Sequence, residues 1–201
     1  MPGVMPTNYD IQWLPARMLL YLGLVVAAYS VLGAEQSEGN QDLPMVSGSS
    51  YLGVIFPADR AHEITEAFDV NAHEYWAPST EDIDRMERHV RDALRRFADD
   101  PSLLDKRLQK DAEQRAYISR QLRGILEHLG DYRRQYAGFV TRQGARRVLI
   151  NAFIGQYGQT DVHSYWRRRV VLVFDGGYDY WRLQYDVAAD RYFLFDSNGY
   201  A

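Results

Sequence analysis

The sequence predicts an α+β domain in which two main helices pack on an antiparallel β-meander of four to five strands, a two-layer sandwich. Three observations predict it. Apolar residues recur at helical spacing between Ile83 and Leu129. From Tyr136 onward the period changes to two. The turn signals separating the later segments are too short for anything but antiparallel neighbours.

Taken in order, Tyr51–Phe56 reads as a short strand or a docked loop. Residues 59–72 form a short helix, with Ala61, Ile64, Ala67 and Phe68 on one side. Trp76-Ala77-Pro78 stops it, and Ser79 caps the next helix, with Asp82 three positions on and Glu81 and Asp84 placing negative charge at its N-terminus. That helix turns Ile83, Met86, Val90, Ala93, Leu94 and Phe97 to one face and ends at Asp99-Asp100-Pro101. A second runs from about Ser102 to Leu129, with Gly130 at its C-terminal stop.

Strands are expected at 136–142, 146–154, 168–175, 178–187 and 191–196. Gln143-Gly144 and Asp175-Gly176-Gly177 mark hairpin turns, and Ala188-Ala189-Asp190 joins the last pair. Val170 to Phe174 is apolar on both sides, as in a central strand buried on both faces. In 178–187, Trp181, Leu183, Tyr185 and Val187 form the core face, leaving Tyr178, Tyr180, Arg182 and Gln184 on the other.

Residues 18–34 are apolar, uncharged and preceded by Arg17, with small residues near their end. This is the pattern of a secretory signal peptide, or of an N-terminal membrane anchor if uncleaved. The expected organisation is therefore a leader over 1–34, a flexible linker over 35–50 and a single α+β domain over 51–201. Both readings of the leader place the domain outside the cytoplasm, in the periplasm, secreted, or anchored to the inner membrane by residues 18–34.

Composition narrows the function classes. There is no cysteine, so disulfides, thiolate catalysis and Cys-based metal sites are excluded. Net charge is −4, so no general nucleic-acid affinity is expected, and membrane contact is expected only through an uncleaved N-terminal segment. The charge is uneven: residues 35–131 carry 12 basic and 20 acidic side chains, residues 132–201 carry 10 and 6. Lys106 and Lys110 are the only lysines among 23 basic residues.

The catalytic motifs that come close all fall short. His62-Glu63-Ile64-Thr65-Glu66 lacks the second histidine of a zinc helix, and His73-Glu74 fails in the same way. His89, His128 and His163 show no ligand spacing and read as solvated, so neither metal nor cofactor is expected. Asp175-Gly176-Gly177 precedes a strand, not the helix a phosphate loop needs. The aspartates at 175, 179, 186, 190 and 196 sit mostly at turns. What remains is a candidate binding surface: Tyr178, Tyr180 and Arg182 on the outer sheet face, and Trp166 beside Arg167-Arg168-Arg169.

Five motifs carry a resemblance: Tyr75-Trp76-Ala77-Pro78-Ser79, Gln135-Tyr136-Ala137-Gly138-Phe139, Ile150-Asn151-Ala152-Phe153, Asp175-Gly176-Gly177 and the closing Asn198-Gly199-Tyr200-Ala201. Over residues ~75–201 the chain resembles a group of uncharacterised secreted bacterial proteins. The resemblance implies an exported α+β domain and supplies no catalytic residues. The expected function is a non-enzymatic binding domain of the cell envelope, taking a protein or small-molecule ligand. The alternatives are a small hydrolase or isomerase with a cavity between helices and sheet, and an inhibitor or immunity-type protein.

Overall fold

A computed structural model describes residues 41–104, 111–157 and 160–199. The chain divides into residues 1–41 and 42–201, and the fold below is that of the second unit. The expected leader, residues 35–40 of the expected linker and Tyr200-Ala201 lie outside the described residues. Among the described residues no helix is long and apolar enough to cross a membrane.

The domain is α+β, with three helices and a mostly antiparallel sheet. The strands are β1 (Met45–Ser47), β2 (Leu52–Ile55), β3 (Glu74–Trp76), β4 (Tyr132–Val140), β5 (Arg146–Ile154), β8 (Tyr180–Asp186) and β9 (Arg191–Ser197), with a separate pair β6 (Gln156–Tyr157) and β7 (Thr160–Asp161). Their order is β1-β2-β4-β5-β8-β9, and β3 adds to β4. The long connection from β2 to β4 makes that pair parallel. Four of the five expected strands, as β4, β5, β8 and β9, thus lie side by side at one end of a wider sheet.

The helices are α1 (Ala61–Ala67), α2 (Thr80–Asp99) and α3 (Ala112–Glu127). Helix α2 begins as its sequence predicts. Ser79 Oγ accepts from the Asp82 N–H at 3.1 Å, and Asp82 Oδ2 accepts from the Ser79 N–H at 3.0 Å. The expected single helix from Ser102 is instead a 3-10 turn over Pro101–Leu103 followed by α3, capped by Asp111, whose side chain accepts from Gln114 N–H at 2.7 Å. Residues 105–110 are not described.

The sheet is covered on both faces, which corrects the two-layer expectation. Tyr132, Tyr136, Val148, Ile150, Trp181 and Leu183 face a core shared with α2 and α3, filled by Met86, Leu94, Leu122 and Ile125. The alternate residues Ala137, Phe139, Leu149 and Phe153 face a second cluster with Val54, Phe56, Ile64 from α1, Trp166 and Val171. Leu43 and Val46 are also buried, so the expected linker contributes β1 to the domain from residue 42 onward.

The expected strand at 168–175 is not a strand, and Asp175-Gly176-Gly177 closes no hairpin. Gly176, at φ 90°, leads into a 3-10 turn over Gly177–Asp179. The segment instead crosses the second sheet face, held by side chains. Gln135 Nε2 donates to the carbonyls of Trp166 at 2.8 Å and Arg169 at 2.7 Å, and its Oε1 accepts from the Val171 N–H at 3.0 Å. Asn151 Nδ2 donates to Gln135 Oε1 at 3.0 Å and to the Val171 carbonyl at 2.9 Å. Two carboxamides aimed out of neighbouring strands thus replace a β-ladder. They satisfy the segment's polar backbone where it is buried.

Gly138 is needed where β3 meets β4. A Cβ there would lie 2.4 Å from the Trp76 carbonyl oxygen, so no larger residue fits while β3 stays paired.

Candidate functional site

Where the covering on the second face ends, a cleft of about 580 Å³ opens over β4, β5, β8 and β9. Its size is in the range of small-molecule sites. Leu149 and Gln184, directly paired across β5 and β8, form part of its floor together with Phe139. One wall is Phe68–Asn71, the chain leaving α1, and the other is Leu194–Asp196 of β9.

Both walls carry backbone that side chains rarely adopt. Asp69 has φ 51° and Leu194 φ 50°. Leu194 belongs to a bulge: Gln184 faces Phe193 and Arg182 faces Asp196, so β9 has one extra residue there. A leucine in this conformation costs about 1–2 kcal/mol. The bulge bends β9 and shapes that side of the cleft.

The register sets the charges. Arg147 faces Asp186 and Arg182 faces Asn151, so the two arginines stand at opposite ends of the floor. Arg182 is engaged on three sides: one nitrogen lies 2.5 Å from Asp196 Oδ2, another donates to Asn198 Oδ1 at 3.1 Å, and its guanidinium sits 4.7 Å from the Phe68 ring centre. Asn198 in turn donates to the carbonyls of Val173 at 2.7 Å and Asp175 at 2.9 Å, tying this end to the crossing segment.

Arg147 is engaged far less. Its guanidinium stacks over Phe193 at 4.1 Å, its Nε is buried without a hydrogen bond, and the nearest acid oxygen, Asp186 Oδ2, is 3.9 Å away. Burial pulls its pKa below the ordinary arginine range. Asp186 opposes that pull, and the neighbouring Arg191 adds to it. Arg142 and Gln143, in the β4–β5 turn, line the same cleft. The cleft therefore has an under-compensated cationic end, an apolar middle with one carboxamide, and a closed ion-paired end.

The four residues singled out in the sequence do not form one surface. Trp166 is buried, 6.3 Å from the Phe153 ring, and belongs to the second core cluster. Tyr180 packs against that cluster, and its hydroxyl lies 3.1 Å from His163 Nε2. Arg182 alone lines the cleft. Tyr178 lies in the 3-10 turn ahead of β8, where the two-residue period does not hold. Its ring stacks on His128 at 6.5 Å. The outer face expected to be open is thus largely covered by the chain itself. Arg147, Leu194 and the Phe68–Asn71 wall escape sequence reading because they meet only through the register and the bulge.

A second depression of about 480 Å³ holds Tyr178, His128, Asp131, Tyr157 and Asp179. Its acids are already paired: His128 Nδ1 lies 3.2 Å from Asp131 Oδ2, and the Tyr157 hydroxyl donates to Asp179. Among the described residues no group of three metal-ligating side chains comes together.

His163 corrects the expectation of solvated histidines. His62, His73, His89 and His128 are exposed, but His163 is buried between Phe153, Tyr165 and Tyr180. Burial lowers its pKa, with Asp161 pulling weakly the other way. Below its ordinary value of about 6.5 the unfolded chain takes up this proton more readily than the fold does. Stability is therefore expected to fall as pH drops from 7 through about 6. Thermal melts of the protein and of His163→Gln check this, since the variant loses that part of the slope. Neither family models nor comparison with curated proteins and solved structures gives a match to this chain.

Proposed function

We propose that this is an exported envelope domain that binds a small amphiphile carrying one carboxylate. The export part rests on the apolar run at residues 18–34 and on the resemblance described above. The ligand part rests on one observation: the Arg147 guanidinium lines a cleft with an apolar middle, its Nε has no hydrogen bond, and Asp186 stands 3.9 Å from it.

A planar guanidinium held by stacking keeps its edge in a fixed direction, which suits a carboxylate better than a flexible ammonium would. A bound carboxylate gives the exposed part of the guanidinium acceptors and adds the close counter-charge that Asp186, at 3.9 Å, does not provide. Phe68, Phe139, Leu149 and Leu194 take the apolar body, and the Arg182–Asp196 pair closes the far end. A single-headed ligand matches this polarity, because the Arg182 end holds its counter-charge in close contact while at the Arg147 end Asp186 stands 3.9 Å off.

Calorimetric titration with 3-phenylpropionate and its uncharged analogue 3-phenylpropanol tests this. The acid is expected to bind and the alcohol to bind at least about tenfold more weakly, the difference made by one charge-assisted pair. Arg147→Met is expected to remove that preference. Equal affinity for acid and alcohol, or an unchanged preference in the variant, contradicts the reading.

A further inference from the structure

Residues Arg169–Asp175, Arg-Val-Val-Leu-Val-Phe-Asp, lie on the sheet without joining it. Their hydrogen bonds follow a parity. The Arg169 carbonyl, both backbone groups of Val171 and the carbonyls of Val173 and Asp175 are all taken by Gln135, Asn151 or Asn198. An extended chain turns alternate residues to opposite edges, so the even-numbered residues present the other edge. Among the described residues, the N–H and C=O groups of Val170, Leu172 and Phe174 have no hydrogen-bond partner. The side chains follow the same alternation: Val171 is buried, Leu172 is 39% exposed and Phe174 is 87% exposed. Native proteins seldom leave such an apolar, unpaired edge bare.

We propose that this edge pairs with the same segment of a second copy of the chain, antiparallel, about a twofold axis at Leu172. In that register Leu172 faces its own copy and Val170 faces Phe174, so the unpaired residues are the ones that exchange backbone hydrogen bonds. The register places Arg169 opposite Asp175 at both ends, and the sequence is therefore charge-complementary to itself. Phe174 covers Val170 of the other copy and loses its exposure. The inward edge remains with Gln135, Asn151 and Asn198, so pairing leaves each fold intact. The chain bends at Arg169 and at Phe174, which keeps the ribbon short and the dimer concentration-dependent.

Sedimentation velocity of the full chain over a range of concentrations tests the pairing. A reversible monomer–dimer equilibrium is expected. Arg169→Asp and Asp175→Arg each place like charges opposite one another at both ends, and each is expected to weaken the dimer roughly tenfold. The double swap restores the attraction and is expected to recover most of the affinity. Leu172→Pro removes an outward N–H at the axis and is expected to abolish the dimer while leaving the monomer's melting temperature unchanged. A chain that stays monomeric at about millimolar concentration, or a double swap no better than the single changes, overturns the proposal.

Discussion

Asn151→Leu is expected to cost about 3 kcal/mol of folding stability and to release residues 166–175 from the sheet. Asn151 Nδ2 serves both Gln135 Oε1 and the Val171 carbonyl, and Asn151 is only 4% exposed. Leucine keeps the branched outline of asparagine while removing its donors and acceptor. The Val171 carbonyl is left buried without a donor, and Gln135 loses the neighbour that orients it. Each such orphaned group costs about 1–3 kcal/mol. Urea unfolding gives the stability, and hydrogen exchange at Val171 reports the segment. A loss below about 1 kcal/mol with unchanged protection would mean that apolar packing of Trp166 and Val171 holds the crossing by itself.

Glu87→Leu is expected to be more damaging still, at about 3–5 kcal/mol. Glu87 on α2 and Arg134 on β4 meet inside the first core, with Arg134 Nε 3.3 Å from Glu87 Oε1 and the arginine side chain fully buried. Tyr136 donates to the same carboxylate oxygen at 2.7 Å, and Arg134 donates to the Leu129 carbonyl at 3.1 Å. Burial raises the Glu87 pKa, and Arg134 works against that rise. Arg134 Nε and Nη1 and Glu87 Oε2 have no hydrogen bond of their own. The pair is therefore costly to keep and costlier to break. Removing only the acid strands a buried guanidinium near Tyr51, Tyr136 and Tyr192. The double change Glu87→Leu, Arg134→Met removes both charges and is expected to recover most of the loss. A double variant as unstable as the single one would show that the pair contributes net stability.

These two clusters also mark where sequence reading succeeds and where it stops. Helix α2 was legible because its signals are local: a capping box at Ser79 and Asp82, an apolar stripe, and a stop at Asp99-Asp100-Pro101. Strands β4, β5, β8 and β9 were legible from their alternation, and the short turns joining β4 to β5 and β8 to β9 from their residues. The segment 168–175 has the composition of a buried strand, yet its partners are side-chain carboxamides, which leave no mark on periodicity. Gln135 falls just before the strand expected at 136–142 and Asn151 inside the one at 146–154, and nothing in the alternation marks either as a partner of the crossing segment. The second covered face went unseen because it is assembled from α1, β2 and the crossing segment, which are far apart in sequence. For the same reason the sequence offered Tyr178, Tyr180, Arg182 and Trp166 as one surface, while the register gathers Arg182 with Arg147 and the bulge at Leu194.

The ligand cleft is tested most directly by amide and arginine side-chain NMR during titration with 3-phenylpropionate. Binding as proposed shifts the Arg147 Nε–H resonance strongly, together with the amides of Phe68 to Asn71 and of Leu194. It leaves His128, Tyr157 and Asp179 at the second depression unmoved. Shifts confined to that second depression, or an Arg147 Nε–H that stays in place as the ligand saturates, would contradict it.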